Sequence, residues 1–491
     1  MNTSADIPGS YARKVAKGLT WVTVTAICVR AIGIVSAIIL ARLLMPADFG
    51  LMAIAIAVIA FSQGLTTTGF DSALIQKQEK PEDFLNTAWT FELCRNLALA
   101  LIIFVTAPLL AIFFNEPRAT IILKVLSVTY VFQGFRNIGV VYFRKNLEFH
   151  KQFIYEMVPV VFYISIVIPM AYILRNVWAL VWATLASQIV GCIMSYILHP
   201  HRPKLDFQKK KAAELFNFGK WILGSSIVVM IREQGVTMFI GKLMGMATLG
   251  FYNRAGVFST VLFQQVSEIV WKVGYPVYSQ LQLEPERLKR AYLKTLQLLT
   301  FIGLPMAGGL LVLSRDFVHL FLTDKWLPIV PLMQILCLQA MLEIVNTPAS
   351  IVFQASGRPS INVKISLLGV IILALLVYPL SSRWGATGAV ASIFLGVLVT
   401  SPIVWYAANK VIRCSPGEFL KPVAISLISM CAMVVAIVTM KAFQVVQAGF
   451  TGFFELILAG VLVYAGVIFL FEKYADYGVF QLLKERVAGF A

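Results

Sequence analysis

The chain is written as long apolar runs separated by short polar breaks. Apolar runs of roughly 20 residues cross a bilayer as helices. About fourteen such spans are predicted, near 18–41, 49–70, 85–113, 119–143, 153–174, 177–198, 215–241, 248–278, 292–314, 328–353, 361–380, 386–408, 420–440 and 452–472. The breaks carry turn chemistry: Met45-Pro46-Ala47-Asp48, Asn115-Glu116-Pro117, Gly357-Arg358-Pro359 and Ser415-Pro416-Gly417. The pattern predicts an all-α polytopic membrane protein. Composition agrees, since 59% of the 491 residues are hydrophobic and only 13% are charged, about half the charged fraction of a soluble protein. Residues 1–17 are polar and carry Arg13, Lys14 and Lys17. The run behind them is too long for a signal-peptide core and lacks a clear cleavage site, so it reads as the first span.

Charge sidedness orients the spans. With the N-terminus inside, the inner loops hold 22 of the 41 Lys and Arg residues, among them Arg144, Lys145, Lys151 and Lys209-Lys210-Lys211. The outer loops hold 8, among them Arg42, Arg175, Lys242 and Arg383. That excess is the positive-inside pattern with both termini cytoplasmic. It accounts for most of the +17 net charge, so no nucleic-acid partner is needed and membrane lipids with anionic headgroups suffice.

A weak repeat organises the chain. "ARLLMPADFG" at 41–50 returns as "GKLMGMATLG" at 241–250, with Leu43/Leu243, Ala47/Ala247 and Gly50/Gly250 identical. Each phrase follows an apolar run containing an arginine three residues before a glycine: Arg30 with Gly33, and Arg232 with Gly235. Six spans separate the copies, so both halves have the same orientation. This is the parallel-repeat plan, which places a substrate site between halves. The expected organisation is an N-terminal lobe (1–198), a basic cytoplasmic linker (199–213), a C-terminal lobe (214–408), two additional spans (409–474) and an amphipathic cytoplasmic tail (475–491).

Eleven basic residues fall inside spans, Lys124, Lys364 and Lys421 among them close to span ends; deeper in, a charge costs about 2.5–3.5 kcal/mol for Arg on insertion scales. Glu92/Arg95 and Glu268/Lys272 have helix spacings that allow local neutralisation. Arg136, Lys220 and Lys294 lie near inner ends and can snorkel to the interface. Arg30 and Arg254 have no acid three or four residues away, and Arg232 is adjacent only to Glu233, which points about 100° away on a helix. Arg30, Arg232 and Arg254 are therefore the candidate substrate-binding residues of a cationic cavity. Guanidinium suits phosphate through bidentate hydrogen bonds and keeps its charge at low dielectric. The other reading of the three is an interhelical salt bridge holding the halves together. Glu343, Glu156 and Glu455 fit either protonated burial or a wet cavity. Trp21, Tyr252, Trp271 and Tyr275 could stack on sugar rings but equally serve packing.

Enzymatic readings lack residues. The four histidines, His150, His199, His201 and His319, lie in loops or at span ends. His199-x-His201 has no third metal ligand, and no phosphate-binding G-x-x-x-x-G-K-[ST] motif occurs. The six cysteines lack metal or redox spacing, so free thiols are expected. No cofactor is expected.

Several stretches resemble one family. "ILARLLMPADFGLMAIAIAVI" followed by "GFDSALIQKQ", then "VVYFRKNLEFHKQ" and "VFQASGRPSINVKIS", are similar to Wzx-type polysaccharide exporters. Within them the likeness is to the colanic-acid-exporter branch of the multidrug/oligosaccharidyl-lipid/polysaccharide (MOP) superfamily. The resemblance covers essentially the whole chain. It implies two six-helix lobes in a V shape plus two C-terminal helices. It implies flipping of an undecaprenyl-diphosphate-linked oligosaccharide across the bacterial inner membrane, for exopolysaccharide or O-antigen synthesis, with polymerase and export machinery as partners. Related lipid II flippases use arginines in comparable first and eighth spans, which Arg30 and Arg254 occupy here; Arg232 comes from the repeat alone. Coupling to H⁺ or Na⁺ through Glu233, Glu268 or Glu343, or to the membrane potential, stays open. So do a lipid II flippase, a cation or drug antiporter and a non-transporting scaffold.

Overall fold

A computed structural model describes residues 28–66, 82–146, 148–206, 208–445, 449–475 and 478. Among these all regular structure is helical and no strand occurs, the arrangement that satisfies backbone polar groups within each segment in lipid. Helix α1 covers 28–43. It is followed by α2 (Pro46–Leu65), α3 (Glu82–Phe113), α4 (Arg118–Phe135), a short α5 (Val141–Lys145), α6 (Phe149–Leu174) and α7 (Trp178–Leu198). Then come α8 (Lys209–Gln280), α9 (Pro285–Phe317), α10 (Val330–Ala355), α11 (Pro359–Ile412), α12 (Pro416–Ala442) and α13 (Phe450–Ala475). Among the described residues nine helical segments are long and apolar enough to cross a membrane. This is a multi-pass membrane protein. All six cysteines are free thiols.

Two rods exceed any single crossing. α8 has 72 residues and α11 has 54, whereas a bilayer core of about 30 Å takes about 20 residues. Each breaks at a glycine with positive φ: Gly245 (φ 81°) and Gly385 (φ 57°). Only glycine adopts these angles without a Cβ penalty. The breaks fall in the predicted gaps 241–248 and 380–386.

Other boundaries follow local chemistry. Pro46 opens α2 at its first position, and the Met45 amide donates to Asp48 Oδ2 at 3.0 Å. Ser415 and Glu418 form a reciprocal capping box at the start of α12, with bonds of 2.8 and 3.2 Å. Arg175 and Arg413 close α6 and α11 in the left-handed conformation.

The helices form two compact units, Met1–Gly250 and Phe251–Ala491. In the first, α3 pairs with α4, α6 with α7, and α4 with α7. α2 is buried around most of its circumference, while α6 buries only Met157, Val167 and Ala171. The first limb of α8 runs alongside α2. A Cβ at Gly241 would lie 2.6 Å from Ile54 Cδ1, and one at Gly64 would overlap the Met230 side chain.

In the second unit α9 is the hub, packing on α10 and α12, with α10 on α11 and α13 on α12. Leu304 and Leu313 of α9 share a core with Met430, Met433 and Ile437 of α12 and with Phe453, Leu456 and Ile468 of α13. The Tyr464 hydroxyl donates to the Phe301 carbonyl at 2.8 Å and ties α13 to α9.

Candidate functional site

The predicted residues separate on inspection. Arg30 lies in α1, half-buried, within the first unit. Arg254 lies in α8 within the second unit, also half-buried. Its guanidinium donates to the neighbouring Asn253 Oδ1 from Nε at 3.3 Å and from Nη2 at 2.8 Å. Those two bonds fix the fork's orientation on the helix. The backbone of Arg232 continues α8, and its side chain lies outside the described residues. Glu233 and Glu268 are exposed side chains on α8. Glu343 on α10 is half-buried, and the Gln339 amide donates to its Oε1 at 3.0 Å.

Beyond these, the first unit carries a polar layer across α2, α3 and α4 that the sequence reading had only in part. The expected Glu92–Arg95 pair forms, at 2.6 Å, with the side chains 22% and 20% exposed. Arg95 Nη1 also donates to the Thr66 carbonyl at the end of α2, 3.0 Å away. One guanidinium thus neutralises an acid on its own helix and caps the next. Beside it Gln63 Nε2 donates to Gln133 Oε1 at 2.7 Å. Ser62 and Tyr130 share a 2.5 Å bond, and the Tyr130 hydroxyl reaches the Ile59 carbonyl at 2.8 Å. The helix spacing of Glu92 and Arg95 was visible in sequence; the pairing of Gln63 with Gln133, 70 residues on, was not.

The second unit has a counterpart on α10. Gln339, Glu343 and Asn346 are spaced four and three apart, on one face of the helix. Asn346 bridges to α11, donating to Ser401 Oγ at 2.9 Å and accepting from Trp405 Nε1 at 2.8 Å.

Arg136 departs from expectation. Instead of reaching for the interface, its guanidinium turns inward and donates to Gln188 Oε1 of α7 at 2.5 Å. The bend after α4 explains this: Asn137 opens a 3-10 turn there, with its own Oδ1 accepting from the Gly139 amide at 2.9 Å.

The histidine pair has a structural task. Asn137 Nδ2 donates to the His201 carbonyl at 2.7 Å, and His199 Nδ1 accepts from the His201 amide at 3.2 Å. The His199 ring stacks on Tyr142 at 5.9 Å and covers Gly139, where a Cβ would lie 2.6 Å from its Cε1. Burial lowers the His199 and His201 pKa values, and the positive neighbours add to it. Among the described residues no three His, Cys, Asp or Glu side chains converge to hold a metal.

Comparison with known proteins places this geometry. The family described as "Polysaccharide biosynthesis protein" matches residues 39–331. The chain is 24% identical to the lipopolysaccharide biosynthesis protein WzxC of Escherichia coli K12 over 411 residues, 82% of each chain. Its fold is similar to that of lipid II flippase MurJ in an inward closed conformation, with TM-score 0.74 and 15% identity, covering 92% of this chain and 98% of that one. It is also similar to an inward-facing multidrug resistance MATE transporter of the MOP superfamily, with TM-score 0.63 and 16% identity, covering 80% and 98%. With the fold of MOP transporters and a match over more than half its length, the chain belongs to the polysaccharide biosynthesis protein family.

Proposed function

We infer that the protein is a flippase. It translocates undecaprenyl-diphosphate-linked oligosaccharide units across the bacterial inner membrane, for exopolysaccharide or O-antigen synthesis. The likeness to WzxC over 82% of both chains supports the substrate class. The observation that carries the mechanism is a guanidinium set inside an apolar helix at Arg30, with another at Arg254. Diphosphate is the polar load that costs most in hydrocarbon, and arginine is the side chain that offsets it without losing its proton. The lipid tail stays in the bilayer while diphosphate and glycan enter a cavity and leave on the other side by alternating access.

In this reading the chain has fourteen spans, supported by the helix breaks at Gly245 and Gly385. The spans form two six-helix lobes (1–198 and 214–408) around the basic linker 199–213, with 409–474 as two further helices and both termini cytoplasmic. Arg232 joins Arg30 and Arg254 as a substrate contact, and Glu233, Glu268 and Glu343 are the coupling acids for H⁺ or Na⁺. The work is transport, with polymerase and export machinery acting before and after it.

The test is glycan export in a flippase-deleted strain carrying wild type, Arg30→Ala or Arg30→Lys, with membrane levels measured. Loss in the alanine variant and partial rescue by lysine support the reading. Normal export by the alanine variant at normal level removes Arg30 from the site. The fold likeness to MurJ favours lipid II as a second substrate, and rescue of a lipid II flippase-depleted strain would replace the glycan assignment.

A further inference from the structure

Residues 199–206 follow α7 without regular structure, yet they are pinned in place. Asn137, at the bend after α4, donates from Nδ2 to the His199 carbonyl at 3.3 Å and to the His201 carbonyl at 2.7 Å. The Lys204 amide donates to Asn86 Oδ1 at 3.1 Å and the Asp206 amide to Thr90 Oγ1 at 3.0 Å, both on α3. The His199 ring packs on Tyr142 and Phe143 of α5, with centroids 5.9 and 5.8 Å away. The segment is therefore a strap over the start of α3, the end of α4 and the short α5, all within the first unit.

What the strap carries outward is charge. Arg202 and Lys204 are exposed, and Leu205 beside them is 74% exposed. Arg202 is exposed without being loose. Its Nη1 donates to the His199 and His201 carbonyls at 2.9 and 3.0 Å, and its guanidinium lies 5.8 Å from the centre of the Tyr196 ring. Those partners are neutral. Among the described residues neither Arg202 nor Lys204 has a carboxylate partner. The strap's one acid, Asp206, accepts from Gln208 Nε2 at 2.9 Å.

Beside the cations the surface is apolar. Ile193 and Ile197 stand one turn apart on α7 and are exposed, Ile197 at 68%, as is Phe135 at the end of α4. Tyr196 joins the two helices, its hydroxyl donating to the Phe135 carbonyl at 2.8 Å. Tyrosine favours the boundary between membrane and water, and Tyr196 has a fixed cation on its ring and exposed isoleucines on the same turns of helix. Anion beside hydrocarbon is the make-up of a phospholipid. A hydrated glycan gains nothing from exposed isoleucine, so the surface suits a lipid of the bilayer better than a transported sugar.

We propose that this end of α7 holds an anionic phospholipid of the adjoining leaflet, with Arg202 and Lys204 on its phosphate and Ile193, Ile197 and Leu205 along its chains. Guanidinium and phosphate pair through charge-assisted hydrogen bonds. A fork already held by two carbonyls and a ring loses little freedom on binding. This is more than the general attraction of basic loops to anionic membranes, because the pinned backbone of the strap sets where the two cations stand. The bound lipid in turn fastens the segment that leads into α8. The site needs only the multi-pass fold and is independent of the transport reading.

The test is native mass spectrometry of the full-length protein released from nanodiscs of phosphatidylcholine and phosphatidylglycerol in equal amounts. Wild type should retain phosphatidylglycerol several-fold over phosphatidylcholine. Arg202→Gln combined with Lys204→Gln should bring the two lipids to parity. Lys410→Gln, at an exposed cation of the second unit, should keep the wild-type ratio. No preference in wild type or an unchanged ratio in the double variant overturns the site. So does an equal loss in Lys410→Gln, which assigns the preference to general surface charge. If the double variant does not accumulate, Lys204→Gln alone decides, since only the main chain of Lys204 is bonded in the strap. A lower ratio then supports the site and an unchanged one overturns it. In a second series undecaprenyl diphosphate replaces phosphatidylglycerol. If the strap substitutions weaken its retention and leave that of phosphatidylglycerol intact, the site belongs to the lipid carrier and the phospholipid assignment falls.

Discussion

Asp48 in the first turn of α2 reaches Val177 at the head of α7, 129 residues on in sequence. Its Oδ2 accepts from the Met45 amide at the head of α2, and its Oδ1 accepts from the Val177 amide at the head of α7, each at 3.0 Å. Helix N-termini leave unpaired N–H groups and favour negative charge. A single buried carboxylate serves both. Asp48→Ala leaves two amides without acceptors, at about 0.5–2 kcal/mol for each lost cap. Asp48→Asn keeps one carbonyl oxygen and loses less. Unfolding of the purified protein in mild detergent should rank wild type, Asn and Ala in falling stability. Equal stability of Ala and wild type would remove the brace.

Glu92 and Arg95 should behave as a unit. Removing one member of a buried ion pair costs about 3–5 kcal/mol, because the other charge stays behind. Arg95 also caps α2 through Thr66, so Arg95→Met should cost more than Glu92→Gln. The double substitution should be milder than the sum of the singles. A double-mutant cycle on unfolding free energies checks this, and strict additivity would show that the pair contributes nothing as a pair.

His199 should make the stability of the loop after α7 depend on pH. Its folded-state pKa lies below the ordinary 6.5, so the folded protein binds fewer protons near that pH than the unfolded chain. The stabilisation is complete above pH 6.5 and is lost as pH falls through that value towards the folded pKa. Protonation of Nδ1 also removes the acceptor for the His201 amide. Protection of the residue 201 amide, measured against its intrinsic exchange rate at each pH, should fall on acidification in wild type. In His199→Phe that protection should be low at every pH.

Glu418 also shifts downward, but here the fold favours the charged form, where at His199 it favours the neutral one. Hydrogen bonds from Ser415, backbone first and hydroxyl second, together with Lys289, hold its carboxyl down at about 2. The stabilisation is present above the ordinary 4.5 and is lost as pH falls from there towards 2. Glu418→Gln should lower stability at neutral pH and flatten the acid limb of a stability–pH curve, so that variant and wild type converge towards pH 2. A steep acid limb in the glutamine variant would assign that limb to other groups.

The sequence alone determined much of this protein. Spans of about 20 apolar residues leave the backbone no option but helix in lipid, so the helical class, the multi-pass character and the breaks near Gly245 and Gly385 were readable. The Glu92–Arg95 pair was readable for the same reason, because helix spacing is local. The repeat of Gly50 and Gly250 could be seen as letters, but not as a contact. Nothing in either decapeptide says that one glycine faces the other copy's carbonyl. Only the tertiary structure decided that, as it decided that Arg136 turns to Gln188, that Asp48 reaches Val177 and that Gln63 meets Gln133. Each depends on which helices lie side by side. Apolar runs of nearly equal hydropathy pack almost interchangeably, so their neighbours are set by a few small or polar groups acting across long stretches of chain.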